Sequence, residues 1–286
     1  MLIFISVRGV DYLITIKAVI LGIIQGLTEF LPVSSSGHLV LFQDLLGLDL
    51  PGLSFAIFLH LGTLISVLIV YWRTVTAMAC SFGAWISGQV LWRNSPDLRL
   101  LGMIFIATIP AGVIGVALKP LFETAFESTL TVGFMLLLTG AILWVAEAVP
   151  VGRKSTSRVG GLDAIVIGTF QALAILPGIS RSGMTISAGI FRNLDRETAG
   201  KFSFLMSIPA IVGAAALDLV DLVQGGVLST GLPVVAVVAG TLAALVSGLF
   251  AIKILLRILR GGQLRGFSYY VWALGILIIG WRLLPL

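Results

Sequence analysis

"QGLTEFLPVSSSGH" at residues 25–38 and "LPGISRSGMT" at residues 176–185 decide how this 286-residue chain folds. Each run interrupts an apolar stretch with Pro, Gly and Ser. Proline removes a backbone donor and disfavours helix in the residue before it. Serine and glycine favour caps and turns over helix interiors. Each stretch is therefore expected to fold as helix, short loop, helix, with the loop inside a membrane as the tip of a re-entrant hairpin. Non-helical backbone survives at that depth only where protein buries it or it lines a wet cavity.

The two runs belong to a longer repeat. With a shift of 146 residues, "AVILGIIQGLTEFLPVSSSG" (18–37) falls on "AIVIGTFQALAILPGISRSG" (164–183) with seven identities in twenty positions. They are Ala18/Ala164, Gly22/Gly168, Gln25/Gln171, Leu27/Leu173, Ser34/Ser180, Ser36/Ser182 and Gly37/Gly183. A shared apolar composition explains some chance matches, but not Gln, Ser, Ser and Gly in one order. The chain is read as a single integral membrane domain over 1–286, with repeat one over about 12–150 and repeat two over about 160–286.

The surrounding composition sets the solvent. With 58% hydrophobic residues, 11% charged residues and a mean hydropathy of +1.11, an ordinary soluble domain is excluded. A bilayer needs about 20 apolar residues per spanning helix. Such segments fall near 53–72, 101–118, 129–149, 200–221, 231–252 and 267–285. The fold class expected is an all-α polytopic membrane protein with an inverted-topology repeat, about six spanning helices and two re-entrant hairpins. Residues 76–91 are expected as a short interfacial helix. The lone Cys80 excludes an internal disulfide framework. No removable leader is expected at the N-terminus.

The net charge of +5 is read as basic loops on the cytoplasmic side, with no nucleic-acid partner. Arg73, Arg93 and Arg99, then Arg153, Lys154 and Arg158, then Lys253, Arg257, Arg260 and Arg265 each follow an apolar segment. The connection at 119–128 carries Glu123 and Glu127 with one Lys119, and 222–230 has no charge. With the basic loops inside, the two broken stretches enter from opposite faces, and sites are expected near the midplane where broken helices meet. Arg8 and Lys17 fit this path poorly.

The copies differ where chemistry is carried. Glu29 faces Ile175, Ser35 faces Arg181 and His38 faces Met184 in the alignment. Gln25 and Glu29, four apart, share a helix face. Glu29 could ligate a divalent cation or act as a base, or could simply pair with Arg181. His38, three residues past Ser35, could activate that hydroxyl or donate a proton, or could simply be hydrogen-bonded to a carbonyl. Ser34, Ser36, Ser180 and Ser182 suit helix capping as well as ligand contact. Arg181 needs an anion, and its fork suits phosphate oxygens. Helices starting near Ser36 and Ser182 would point N–H groups and positive dipole ends at the same place. A lipid phosphate fits such a pocket, because its tail can stay in the bilayer. His60 and Asp163 are expected at the interface, Asp218 and Asp221 at an outer helix end, and Asp195 and Glu197 with Arg192, Arg196 and Lys201 in a solvated loop.

These residues resemble the two signatures of the undecaprenyl-diphosphatase, or bacitracin-resistance, family. The first is Glu or Gln, then Glu four residues later and a Ser-Ser-Ser-Gly-His run; here these are Gln25, Glu29, Ser34, Ser35, Ser36, Gly37 and His38. The second is Pro-Gly-x-Ser-Arg-Ser-x-x-Thr, here Pro177, Gly178, Ser180, Arg181, Ser182 and Thr185. "RETAGKFSFLMSIP" (196–209) resembles the segment that follows. Gln25 stands where many members have Glu, which weakens any mechanism needing two carboxylates there.

The resemblance implies a bacterial inner-membrane enzyme, with its site open to the outside, that hydrolyses undecaprenyl diphosphate and recycles the lipid carrier of peptidoglycan synthesis. It also implies a divalent cation (Mg2+ or Ca2+) at Glu29, bacitracin resistance, a polyprenyl diphosphate substrate and a homodimer among membrane lipids. Carried over by position, Glu29, His38, Ser35 and Arg181 are the catalytic candidates. Gln25, Ser34, Ser36, Ser180, Ser182 and Thr185 would bind substrate. Either Ser35 or a water attacks the terminal phosphorus. The rival reading is a polyprenyl-phosphate flippase or transporter, since inverted repeats with broken helices are common there.

Overall fold

A computed structural model describes residues 2–47, 54–126, 128–225, 232–261 and 263–283. Twelve α-helices are found among them: α1 Leu2–Phe30, α2 Ser35–Leu45, α3 Ser54–Val70, α4 Trp72–Ile86, α5 Pro96–Ala117, α6 Lys119–Phe126, α7 Thr129–Ala148, α8 Gly161–Leu173, α9 Arg181–Phe191, α10 Arg196–Gly225, α11 Val234–Gly261 and α12 Arg265–Leu283. Their starts follow local chemistry. Ser95 caps α5 by accepting from Leu98 N, with Pro96 at the first position where no donor is missed. Ser128 caps α7 through Thr131 N.

Among the described residues six helices are long and apolar enough to cross a membrane, or seven if the bent pair α3 and α4 is one span: Tyr12–Phe30, Pro96–Ala117, Thr129–Ala148, Arg196–Leu217, Val234–Gly261 and Arg265–Leu283 are the six. The number matches expectation, but the membership differs. The expected span at 53–72 is α3, which has 17 residues and bends by 81° into α4 around Tyr71. At 1.5 Å per residue it reaches about 25 Å, short of the roughly 30 Å hydrocarbon core. The two hairpins are also unequal. Residues 12–30 are long enough to cross, whereas α8 has only 13 residues. The apolar run leading into Phe30 is the longer, because polar loop residues precede Gly161.

Helix packing follows the repeat. A shift of 146 residues carries α1 to α8, α2 to α9, α3 and α4 to α10, α5 to α11 and α7 to α12. α1 lies along α11 and α8 along α5; α3 packs on α11 and α10 on α5; α7 and α12 pair with each other. Each contact is thus the image of another, and the α7–α12 contact is its own image. The first helix of each copy is embraced by the other copy.

Small residues bring those helices together, as is usual where lipid removes the hydrophobic drive between helices. A Cβ on Gly22 would lie 2.1 Å from the Gly240 carbonyl oxygen. One on the equivalent Gly168 would lie 2.2 Å from the Ala107 carbonyl oxygen. Gly26 meets Ser247 in the same way.

The loop before α8 differs from expectation. Asp163 is buried rather than interfacial, because Lys154 Nζ donates to both its oxygens at 3.0 Å and Arg192 Nε donates at 2.8 Å. Arg196 is buried too, and Asp195 accepts from Thr198 N at 2.7 Å at the start of α10. Residue Glu127, the side chains of Arg8, Glu123, Asp218 and Asp221, and most of the connection at 222–230 lie outside what is described.

Candidate active site

The two hairpin tips are built from the same bonds. Ser34, the last residue before α2, accepts from Gly37 N at 3.3 Å and touches Ser36 Oγ at 3.2 Å. Ser180, before α9, accepts from Gly183 N at 3.1 Å and touches Ser182 Oγ at 3.2 Å. Capping accounts for the first serine of each pair. Interlocking accounts for the second: Ser182 Oγ donates to the Leu31 carbonyl at 3.1 Å, and Gly178 N donates to Ser36 Oγ at 3.4 Å. Gly178 has φ +92°, which only glycine adopts readily, and Ser34 has φ +69°. Thr139 of α7 holds the second tip, accepting from Ser180 N at 3.1 Å and donating to the Gly178 carbonyl at 3.2 Å.

Where the tips meet, Arg181 and Glu29 form an ion pair, with Nη2 donating to Oε1 at 2.6 Å. The other carboxylate oxygen accepts from Ser35 Oγ at 2.7 Å and Gln25 Nε2 at 3.0 Å. Gln25 and Glu29 are buried, while Ser35 and Arg181 are partly exposed. The carboxylate thus sits at the floor, with a hydroxyl and a guanidinium above it. Arg181 Nη1 faces the Ser203 carbonyl at 3.5 Å. Thr185 is buried behind it, bonded to the Arg181 carbonyl at 2.9 Å and to Ser203 Oγ at 2.7 Å.

His38 is placed differently from its expected contact with Ser35. Its Nδ1 donates to the Ser34 carbonyl at 2.7 Å, which leaves Nε2 to accept from Tyr270 Oη at 2.7 Å. Both ring nitrogens are engaged, and the ring stacks on Tyr270 with centroids 5.7 Å apart. The imidazole at the carboxylate is instead that of His60, expected at the interface: its Nε2 lies 3.7 Å from Glu29 Oε2. Spacing could not reveal this, because α3 meets α1 only through the tertiary fold. Tyr270, Thr139 and Ser203 were likewise missed; each shares its helix with other polar residues, so nothing local singles it out.

Among the described residues no three His, Cys, Asp or Glu side chains converge. The groups available to a cation at this place are the Glu29 carboxylate, the His60 imidazole and Gln25 Oε1. That amide oxygen is buried and has no hydrogen-bond partner among the described residues.

The sequence has relatives along nearly its whole length. The family described as "Bacitracin resistance protein BacA" matches residues 18–277. A protein named undecaprenyl-diphosphatase from Carboxydothermus hydrogenoformans is 47% identical over 263 residues, 92% of this chain and 95% of that protein. Proteins of the same name from Alkaliphilus metalliredigens and Halothermothrix orenii are each 44% identical; they cover 94% and 92% of this chain, and 99% and 96% of their own lengths. With both signature runs converging on one ion pair and the match covering the helices that hold them, the chain belongs to the BacA family of bacitracin resistance proteins.

Proposed function

We propose that this protein hydrolyses undecaprenyl diphosphate to undecaprenyl phosphate and inorganic phosphate where the hairpin tips meet. The names of its relatives support that substrate. The observation that carries the site is the contact of Arg181 and Ser35 with one carboxylate, Glu29, drawn from both repeats.

In this reading Glu29 accepts the Ser35 hydroxyl proton as Ser35 Oγ attacks the terminal phosphorus. The bond from that phosphorus to the bridging oxygen breaks, and undecaprenyl phosphate leaves. Water then cleaves the Ser35 phosphoester, releasing inorganic phosphate and returning a proton to Ser35. The 2.7 Å bond from Ser35 to Glu29 favours this route over a direct attack by water. Arg181 and the N–H groups that open α2 and α9 stabilise the equatorial oxygens of the transferring group. His38 positions the first tip through Ser34 and Tyr270 rather than moving the proton.

A divalent cation such as Mg2+ or Ca2+ fits the donor set. Glu29 and the unpaired Gln25 Oε1 are hard oxygen donors, and Mg2+ habitually takes one or two carboxylates and completes its shell with water and substrate phosphate oxygens. Bound there, it would neutralise phosphate charge. The reading also places the protein in the bacterial inner membrane as a homodimer, with the site open to the outside, on the basis of the basic-loop pattern and the family resemblance.

Detergent-purified protein is expected to release phosphate from a prenyl diphosphate, and Glu29→Gln and Arg181→Ala proteins are expected not to. Lipid movement in proteoliposomes with no phosphate release would overturn the reading in favour of a flippase. No feature of the site favours that alternative.

A further inference from the structure

His60 has a defined tautomer and an unexplained neighbour. Its Nδ1 lies 2.8 Å from the Ala56 carbonyl oxygen, which can only accept, so Nδ1 carries the hydrogen in the neutral ring. The lone pair of Nε2 is then turned toward Glu29 Oε2, 3.7 Å away. That distance is too long for a hydrogen bond, and two lone pairs facing each other repel. Oε2 already accepts from Ser35 Oγ at 2.7 Å and Gln25 Nε2 at 3.0 Å, and a cation between Oε2 and Nε2 would remove the repulsion that remains. A nitrogen and an oxygen that bind one cation at about 2.1 Å each stand 3.7 Å apart when the angle at the metal is about 120°. A second observation points the same way: the buried amide against this carboxylate leaves Gln25 Oε1 unpaired. The hydrogen bond from Nδ1 to a backbone carbonyl is also the support that metal-binding histidines commonly have.

We infer that His60 Nε2 is a direct ligand of the divalent cation, together with Glu29 and Gln25, and that it tunes the site toward a borderline ion such as Mn2+ or Co2+ over Mg2+ and Ca2+. This rests on the reading above that a cation binds at Glu29. The selectivity follows from the donor set: imidazole nitrogen strengthens binding of the transition ions far more than of the oxygen-seeking ones. The ring's partial exposure suits a ligand at the rim of the site, over the buried carboxylate.

Pulsed EPR of the full-length protein loaded with Mn2+ in detergent tests this directly. Because the chain has only 2 histidines, an imidazole nitrogen coupling has two possible sources. The coupling is expected in the unaltered protein, retained in His38→Gln and lost in His60→Gln, and it should change when histidine is labelled with 15N. The Co2+ dissociation constant should rise by about tenfold or more in His60→Gln, with Mg2+ binding changed much less. Should His60→Gln not fold, the coupling in the His38→Gln protein still assigns the ligand. Mn2+ that binds without nitrogen coupling, yet is lost in Glu29→Gln, overturns the role of His60 and leaves the cation reading standing. Mn2+ binding that survives Glu29→Gln unchanged overturns both.

Discussion

At the first tip Ser34 caps Gly37 and touches Ser36; at the second, Ser180 caps Gly183 and touches Ser182, at nearly the same distances. Between those shared positions the copies part company. Ser35 in one is Arg181 in the other, and Glu29 has Ile175 as its counterpart. The difference separates two demands. Serines that satisfy backbone groups at depth cannot change without orphaning a donor or acceptor, and such a loss costs about 1–3 kcal/mol. Positions facing the gap between the tips carry no such duty and were free to specialise as acid, hydroxyl and cation.

The strongest way to break this comparison is to remove the ion pair that joins the copies. Glu29→Ala and Arg181→Ala should each lower kcat by about 10³-fold or more, because each removes a preorganised charge from the reacting centre. Arg181→Ala should also destabilise the protein by about 3–5 kcal/mol, since Glu29 stays buried without its cation, and Glu29→Ala by less, since Arg181 is partly exposed. A Glu29→Gln/Arg181→Gln double variant should recover most of that stability in thermal unfolding and none of the activity. Recovery of both would show the pair to be structural.

Ser35→Ala should come next, at about 10²-fold in phosphate release with little change in stability. Near-normal turnover would transfer the attack to water. The scaffold itself should respond evenly. Gly22→Ala and Gly168→Ala meet carbonyl oxygens at 2.1 and 2.2 Å, so each should cost about 1–3 kcal/mol. Gly213→Ala and Gly280→Ala, with nothing within 4 Å, should be neutral or mildly stabilising in the same melts. The smallest effects should separate the two glutamines. Gln25→Ala, which loses a contact to Glu29, should slow turnover by about tenfold or less. Gln171→Leu removes an amide with no partner among the described residues, and should leave turnover unchanged and raise stability slightly.

Much of this was legible in the sequence because the decisive signals are local or repeated. Pro32, Pro177 and the serines mark the breaks, and the 146-residue shift pairs the tips before any coordinates are known. Glu29 and Arg181 stand out because charge is scarce in their surroundings, and Ser35 because its counterpart in the repeat is Arg181 rather than a serine. The errors have physical causes. Ser35 and His38 are three apart, but α2 begins at Ser35, so His38 bonds back to the Ser34 carbonyl within the first turn and turns to α12. His60 is the one titratable residue within α3, and its contact with Glu29 exists only because α3 and α1 both pack against α11. The bend at Tyr71 has neither Pro nor Gly beside it, so no local residue announces it.

The bonds from Ser182 to Leu31 and from Gly178 to Ser36 also set a schedule for synthesis. Ribosomes add about 5–20 residues per second, so matching points 146 residues apart emerge roughly 7 to 30 s apart. For that interval the leading hairpin lacks both bonds, and its Leu31 carbonyl keeps only Val33 N as a donor. It should therefore wait at the watery margin or beside the insertion channel, and sink to its final depth only once α9 has been made. A chain stopped before Gly178 should leave a Val33→Cys thiol open to a water-soluble reagent that the finished protein, which buries Val33, excludes.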